Sequence, residues 1–221
     1  MNSKTISGLF CLVVLGVILS HDYLDTTIAE FFNAILKANL HLVRPLSHAI
    51  HRVPALSVTV CAFAVVGWAI YFYLRYSGIS SSHREFFELV GITVPVSFVL
   101  KFYLQDVFGA PGPREWFHDP GRWGFHWFEG GGYLASFPSG HMAVFTPLMI
   151  ALGRFYPKYR KVFLGLWLSL AAALVVTNSH FLSDVIGGAY VGVIVDFLTY
   201  ETIRELRNSR NDLKQGSKNA L

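Results

Sequence analysis

A chain of 221 residues that is 53% hydrophobic and only 14% charged, with a mean hydropathy of +0.44, lies far from soluble proteins, in which about a quarter of residues are charged. That excludes an ordinary water-soluble domain and points to a membrane. The formal charge of +4 comes from basic residues at the ends of apolar segments rather than on one patch, so orientation in a bilayer accounts for it and no nucleic-acid partner is implied.

Residues 6–20 form an apolar run behind Lys4. A secretory signal would end in a small-x-small cleavage site, but this run ends in His21-Asp22-Tyr23-Leu24-Asp25, so a short, retained first span is expected. Cys11 lies within it and Cys61 within a later apolar run, which supports neither a disulfide framework nor a metal site. Across residues 22–54, Ile28, Phe31, Phe32, Ile35 and Leu36 are spaced among Lys37, Arg44 and histidines, a pattern for amphipathic helices lying in the interface. His41, His48 and His51 share no ligand spacing with a carboxylate and read as solvated interfacial side chains.

Five more apolar runs follow, at residues 55–76, 86–108, 140–156, 162–178 and 184–203. Each approaches the roughly 20 residues needed to cross hydrocarbon. The expectation is an all-α bundle of six transmembrane helices, with interfacial helices in the first outer loop. A single integral membrane domain over residues 1–203 precedes a polar cytoplasmic tail, residues 204–221, expected to be disordered. No internal repeat is present, and nothing in the pattern reports an oligomeric state.

Six spans put both termini on one side. Twelve of the 18 lysines and arginines belong to that side: Lys4, Arg75, Arg84, Arg154, Lys158, Arg160, Lys161, Arg204, Arg207, Arg210, Lys214 and Lys218. The positive-inside rule makes it cytoplasmic, so the loops at residues 109–137 and 179–183 face outward, to the periplasm in a bacterium or the lumen in a eukaryote. The first of these loops mixes Trp116, Phe117, Trp123, Phe125, Trp127 and Phe128 with Arg114, His118, Asp119, Arg122 and His126, and its aromatics read as an interfacial belt.

Two stretches carry chemistry. In Ser136-Phe137-Pro138-Ser139-Gly140-His141 a polar loop becomes an apolar helix, with proline where a helix start needs no N–H and glycine where a ligand approaches the backbone. The unpaired N–H groups of a first helical turn and the helix dipole favour a phosphate there, within reach of His141. Taken alone, the motif also reads as a helix cap with a histidine at a wet end. In Asn178-Ser179-His180-Phe181-Leu182-Ser183-Asp184 a histidine and an aspartate stand four apart at the mouth of the last span. On a helix they share a face, so Asp184 can accept from one ring nitrogen of His180 and leave the other to act as a nucleophile.

Together the stretches resemble the membrane branch of the type-2 phosphatidic acid phosphatase superfamily, which includes the vanadium haloperoxidases. Pro-Ser-Gly-His opens one span, and a His-x-x-x-Asp opens the span after next, followed by Gly187-Gly188. The resemblance implies a helical bundle with its site at the outer membrane face, working without metal or cofactor on a lipid phosphate. It assigns His180 as the nucleophile, Asp184 as its orienting partner and His141 as acid and then base, with the backbone around Ser139 and Gly140 holding phosphoryl oxygens.

Three basic ligands of the family are absent from their usual places. Gly112 and Gln105 stand where the first motif has arginine and lysine, and Ala173-Leu174 stands where the third has Ser-Arg. Lys101, one helical turn before Gln105, and Arg114, two residues after Gly112, are candidates to supply charge from shifted positions; equally, Lys101 reads as a snorkelling side chain and Arg114 as a solvated one. The leading expectation is a lipid phosphatase acting on a monoester or diphosphate. A headgroup transferase using the same His/His/Asp set is the alternative, since a phosphodiester carries less charge and needs fewer cations. A non-catalytic lipid-binding relative is the third reading.

Overall fold

Between Leu19 and Asp25, where the sequence pattern suggests a break, the backbone does not leave the helix. In this computed structural model, which describes residues 3–38, 53–78 and 82–219, helix α1 (Ser3–Leu19) passes through a π turn (Ser20–Leu24) into α2 (Asp25–Ala38). The run Gly8–Ala38 is long and apolar enough to cross a membrane. Asp25 does not turn out to water because its carboxylate accepts hydrogen bonds from the Ser183 backbone and hydroxyl. The remainder of the expected interfacial segment, with His41, Arg44, His48 and His51, lies outside the described residues.

The chain continues as α3 (Val53–Tyr76), α4 (Ser82–Phe108), the short α5 (Pro113–His118), α6 (Gly140–Phe155), α7 (Arg160–Val176) and α8 (Leu182–Asn219). Among the described residues five helices meet the length and hydropathy needed to span a membrane. The expected span at residues 140–156 is the exception: α6 has 16 residues, about 24 Å of helix against about 30 Å of hydrocarbon. It lies against α4 and α8 with Met142, Ala143 and Ala151 wholly enclosed.

Large apolar side chains cover the outside: Leu12 and Leu15 on α1, Val65 and Tyr73 on α3, Leu164 and Leu168 on α7. In water this belt would aggregate; in a bilayer it meets acyl chains, and the chain is a multi-pass membrane protein. Inside, Phe86, Leu89, Val90 and Val94 of α4 pack with Val60, Val144 and Ala151. Helix α8 approaches α6 through glycines. A Cβ on Gly188 would stand 3.0 Å from the Cβ of Met142, and one on Gly192 2.7 Å from Cδ of Pro147, so no larger residue permits this contact.

The expected disordered tail beyond Ile203 is instead helical as far as Asn219. Arg207 there reaches Glu85, at 2.7 Å, and Glu88, both at the start of α4. These partners lie more than a hundred residues upstream, which is why local polarity alone suggested a solvated tail.

Candidate active site

The site lies where α6 begins, recessed within the bundle. Lys101 of α4 lies beside Gly140, and α4 runs on seven more residues to Phe108, so the start of α6 sits about 10 Å below the end of its neighbour. Gln105, one turn above Lys101, donates to the Pro138 carbonyl at 3.1 Å, and the Ser139 N–H donates to the Asp184 carbonyl at 3.0 Å. Those two bonds tie the loop before α6 to α4 on one side and to α8 on the other.

His141 and His180 face each other across this junction, with ring centroids 6.0 Å apart and planes 70° apart. Asp184, 2% exposed, uses one oxygen, Oδ2, to accept three hydrogen bonds: from Ser136 Oγ at 2.6 Å, from the Phe181 N–H at 2.9 Å and from His180 Nδ1 at 3.3 Å. The serine hydroxyl also lies 3.2 Å from His180 Nδ1. Because that hydroxyl spends its proton on Asp184, its oxygen can only accept from Nδ1, which therefore carries the ring proton. In the neutral ring a proton on Nδ1 leaves the lone pair on Nε2, the state a nucleophile requires.

The first turn of α6, which carries His141, presents the positive end of the helix dipole at this junction. Ser139 is fully enclosed, and its Oγ has no hydrogen-bond partner among the described residues, a cost of about 1–3 kcal/mol that a bound acceptor would relieve. Lys101, 6% exposed, directs Nζ to Gln105 Oε1 at 3.1 Å and over the Phe102 ring at 3.4 Å. A Cβ on Gly140 would stand 3.4 Å from that Nζ. A buried ammonium with one conventional acceptor, next to a helix N-terminus, is a cation prepared for an anion.

Arg114 goes elsewhere. On the first turn of α5, it lines an outer cavity of about 650 Å³ with Glu115, His118, Asp119, Arg122 and Tyr133. Burial lowers its guanidinium from the ordinary value and Glu115 opposes this, so it remains a cation. Gly112 is the partition between this cavity and the site: a Cβ there would stand 2.7 Å from Glu115 Oε2 and 3.2 Å from Ser136 Oγ.

The family model described as the PAP2 superfamily matches residues 85–208, more than half of the chain and every site residue above. The chain belongs to the PAP2 superfamily. Two curated relatives, each a "Lipid A 1-phosphatase", come from Rhizobium johnstonii and Rhizobium etli. Both are 34% identical over 107 residues, which is 48% of this chain and 43% and 46% of theirs, so the match spans less than half the length of these relatives. Among solved structures, the transmembrane PAP2-type phosphatidylglycerolphosphate phosphatase from Bacillus subtilis superposes with a TM-score of 0.51, covering 90% of this chain and 96% of its own. At 18% identity that likeness is one of fold.

Within this PAP2 site the structure brings His141, His180, Asp184, Ser139, Gly140 and Lys101 together and leaves Arg114 in the adjoining cavity. Sequence reasoning missed the roles of Ser136 and Gln105. Ser136 acts on partners 44 and 48 residues away, a separation at which no local spacing gives a signal. Gln105 marked only an absent lysine, whereas its amide joins Lys101 to the Pro138 carbonyl.

Proposed function

We propose that this protein is a lipid phosphatase that removes a terminal phosphate, as a monoester or diphosphate, from a membrane lipid through a phosphohistidine on His180. The observation that carries the reading is the pair of imidazoles facing each other at 6.0 Å beside an α6 N-terminus that Lys101 supplies with positive charge.

His180 Nε2 attacks phosphorus while the bond from phosphorus to the lipid oxygen breaks, and protonated His141 gives its proton to the departing alkoxide. Neutral His141 then takes a proton from water, whose oxygen attacks phosphorus. The N–P bond breaks and inorganic phosphate leaves. Asp184 and Ser136 hold the Nδ1 proton and offset the positive charge that His180 acquires. Lys101, the Ser139 hydroxyl and the first amides of α6 bind the non-bridging oxygens, whose charge is greatest in the transition state. No metal ion or cofactor takes part.

The positive-inside distribution supports a site at the periplasmic face of a bacterial cytoplasmic membrane with both termini inside. The catalytic unit is residues 1–203, and residues 204–221 are a cytoplasmic extension. The outer cavity, with Arg114, Arg122 and His118, suits a bulky polar headgroup. That property and the two relatives support the reading in which a phosphorylated lipid A is preferred to phosphatidic acid as substrate.

A headgroup transferase is favoured by one observation, that Lys101 lies beside Gly140 while Arg114 lines the outer cavity instead, because a phosphodiester carries one charge where a monoester carries nearly two. Phosphate release in detergent from lipid A 1-phosphate, phosphatidic acid, phosphatidylglycerol phosphate and a prenyl diphosphate separates the readings. The phosphatase releases phosphate from at least one, and His180→Ala abolishes it. Transfer of a labelled headgroup between lipids with no phosphate released replaces this reading by the second, and neither activity leaves a lipid-binding protein.

A further inference from the structure

We propose that Asp25, on the N-terminal helix, is a positioning residue that holds the catalytic His180–Asp184 turn in register, a role that rests on the phosphatase reading above. Asp25 lies outside residues 85–208, the stretch the family model matches, and is 1% exposed. Its Oδ1 accepts the Ser183 N–H at 3.0 Å and its Oδ2 the Ser183 hydroxyl at 2.5 Å. The next residue is Asp184.

The first turn of α8 is thus held by two carboxylates. Asp184 caps it from within, through the Phe181 N–H, and Asp25 holds it from α2. Both sit at a helix N-terminus, where negative charge is favoured. The Asp184 carboxylate orients His180, and the Asp184 carbonyl accepts the Ser139 N–H at the start of α6. A shift at Ser183 would therefore move the nucleophile's partner and the anion cradle together. The Asp184–His180 contact, at 3.3 Å, has little length to spare.

Two further contacts fix the same helix to the same place. Asn178 donates to the Ala29 carbonyl at 3.0 Å, and His21 stacks on Trp123, with centroids 4.6 Å apart. Trp123 in turn packs edge-on against Phe181 at 5.0 Å. Ala29 directly and His21 through Trp123 thus engage the residues just before Ser183, and Asp25 bonds Ser183 itself.

The test compares Asp25→Ala and Asp25→Asn in the full-length protein, by steady-state phosphate release and by amide hydrogen exchange. Asparagine can still accept the Ser183 N–H and can donate to its hydroxyl. Asp25→Ala should lower kcat about ten- to hundredfold with KM within about twofold, since the lesion is in geometry rather than lipid contact. It should raise exchange at least about tenfold across residues 178–186 while leaving α4 unchanged. Asp25→Asn should restore both to within about threefold.

Exchange that rises equally in α4 and α6 would make Asp25 a general stability element and overturn the proposal. So would local loosening without loss of kcat, or an asparagine variant as damaged as alanine. If the wild type releases phosphate from no lipid, the phosphatase reading fails by itself and the exchange result still decides the role of Asp25: a local rise supports it, and a uniform rise or none overturns it.

Discussion

Lys101→Met removes one positive charge and keeps the unbranched stem that packs against Gly140 and Phe102. A phosphoryl oxygen seated on the first amides of α6 lies about 4 Å from the ammonium, and at an effective dielectric of about 20 such a charge pair is worth about 4 kcal/mol. At about 1.4 kcal/mol per factor of ten this corresponds to roughly a thousandfold in rate. Rearrangement of the surrounding dipoles would offset part of it, so the expected loss in kcat/KM is about one hundred- to one thousandfold. Gln105 loses its acceptor-side partner in the same variant, which costs about 1 kcal/mol of stability and shows in the melting temperature rather than the rate. The assay is phosphate release across a range of substrate concentrations, with Arg114→Met as the comparison. Arg114 lines the outer cavity, so its loss should raise KM less than about tenfold and leave kcat near wild type. A folded Lys101→Met protein within about threefold of wild type would refute the reasoning, because it rests on the Lys101 ammonium beside Gly140.

Ser136→Ala removes the 2.6 Å bond to Asp184 while the Phe181 N–H and His180 remain on that carboxylate, so kcat should fall about ten- to hundredfold at nearly constant KM, as steady-state kinetics would show. Gly188→Ala forces a Cβ to 3.0 Å from the Met142 Cβ and 3.1 Å from the Ser139 carbonyl carbon. It should cost about 1–3 kcal/mol in a detergent melt and reduce activity, since the displaced residue belongs to the cradle. At the other end of the bundle Arg154 is bound through two hydrogen bonds, at 3.2 and 2.6 Å, to Asp196, which is 2% exposed. Arg154→Ala should destabilise by about 3 kcal/mol in the same melt, and Arg154→Leu combined with Asp196→Leu should recover most of that loss.

The residues proposed to do the chemistry stand out in the chain because they fall at helix starts, where local chemistry and spacing coincide. Gly140 and His141, just after Pro138 and the Ser139 cap, mark one first turn, and the four-residue step from His180 to Asp184 marks another. What the sequence hid was pairing over distance. Asp25 meets Ser183 across 158 residues and Arg207 meets Glu88 across 119, and each contact turned an expected boundary, at residues 21–25 and at residue 204, into continuous helix. The two proposed substitutes for the missing basic ligands separated for a geometric reason. Lys101 is on the long α4 and lies beside α6, whereas Arg114 begins α5 on the far side of Gly112.

The most direct test is to mix the purified protein with a lipid carrying a labelled terminal phosphate, quench in alkali, which preserves a phosphohistidine, and map the label by mass spectrometry. The account predicts label on His180, none in His180→Ala, and its discharge as inorganic phosphate. Phosphate release that proceeds with no label on His180 and continues in His180→Ala would contradict it.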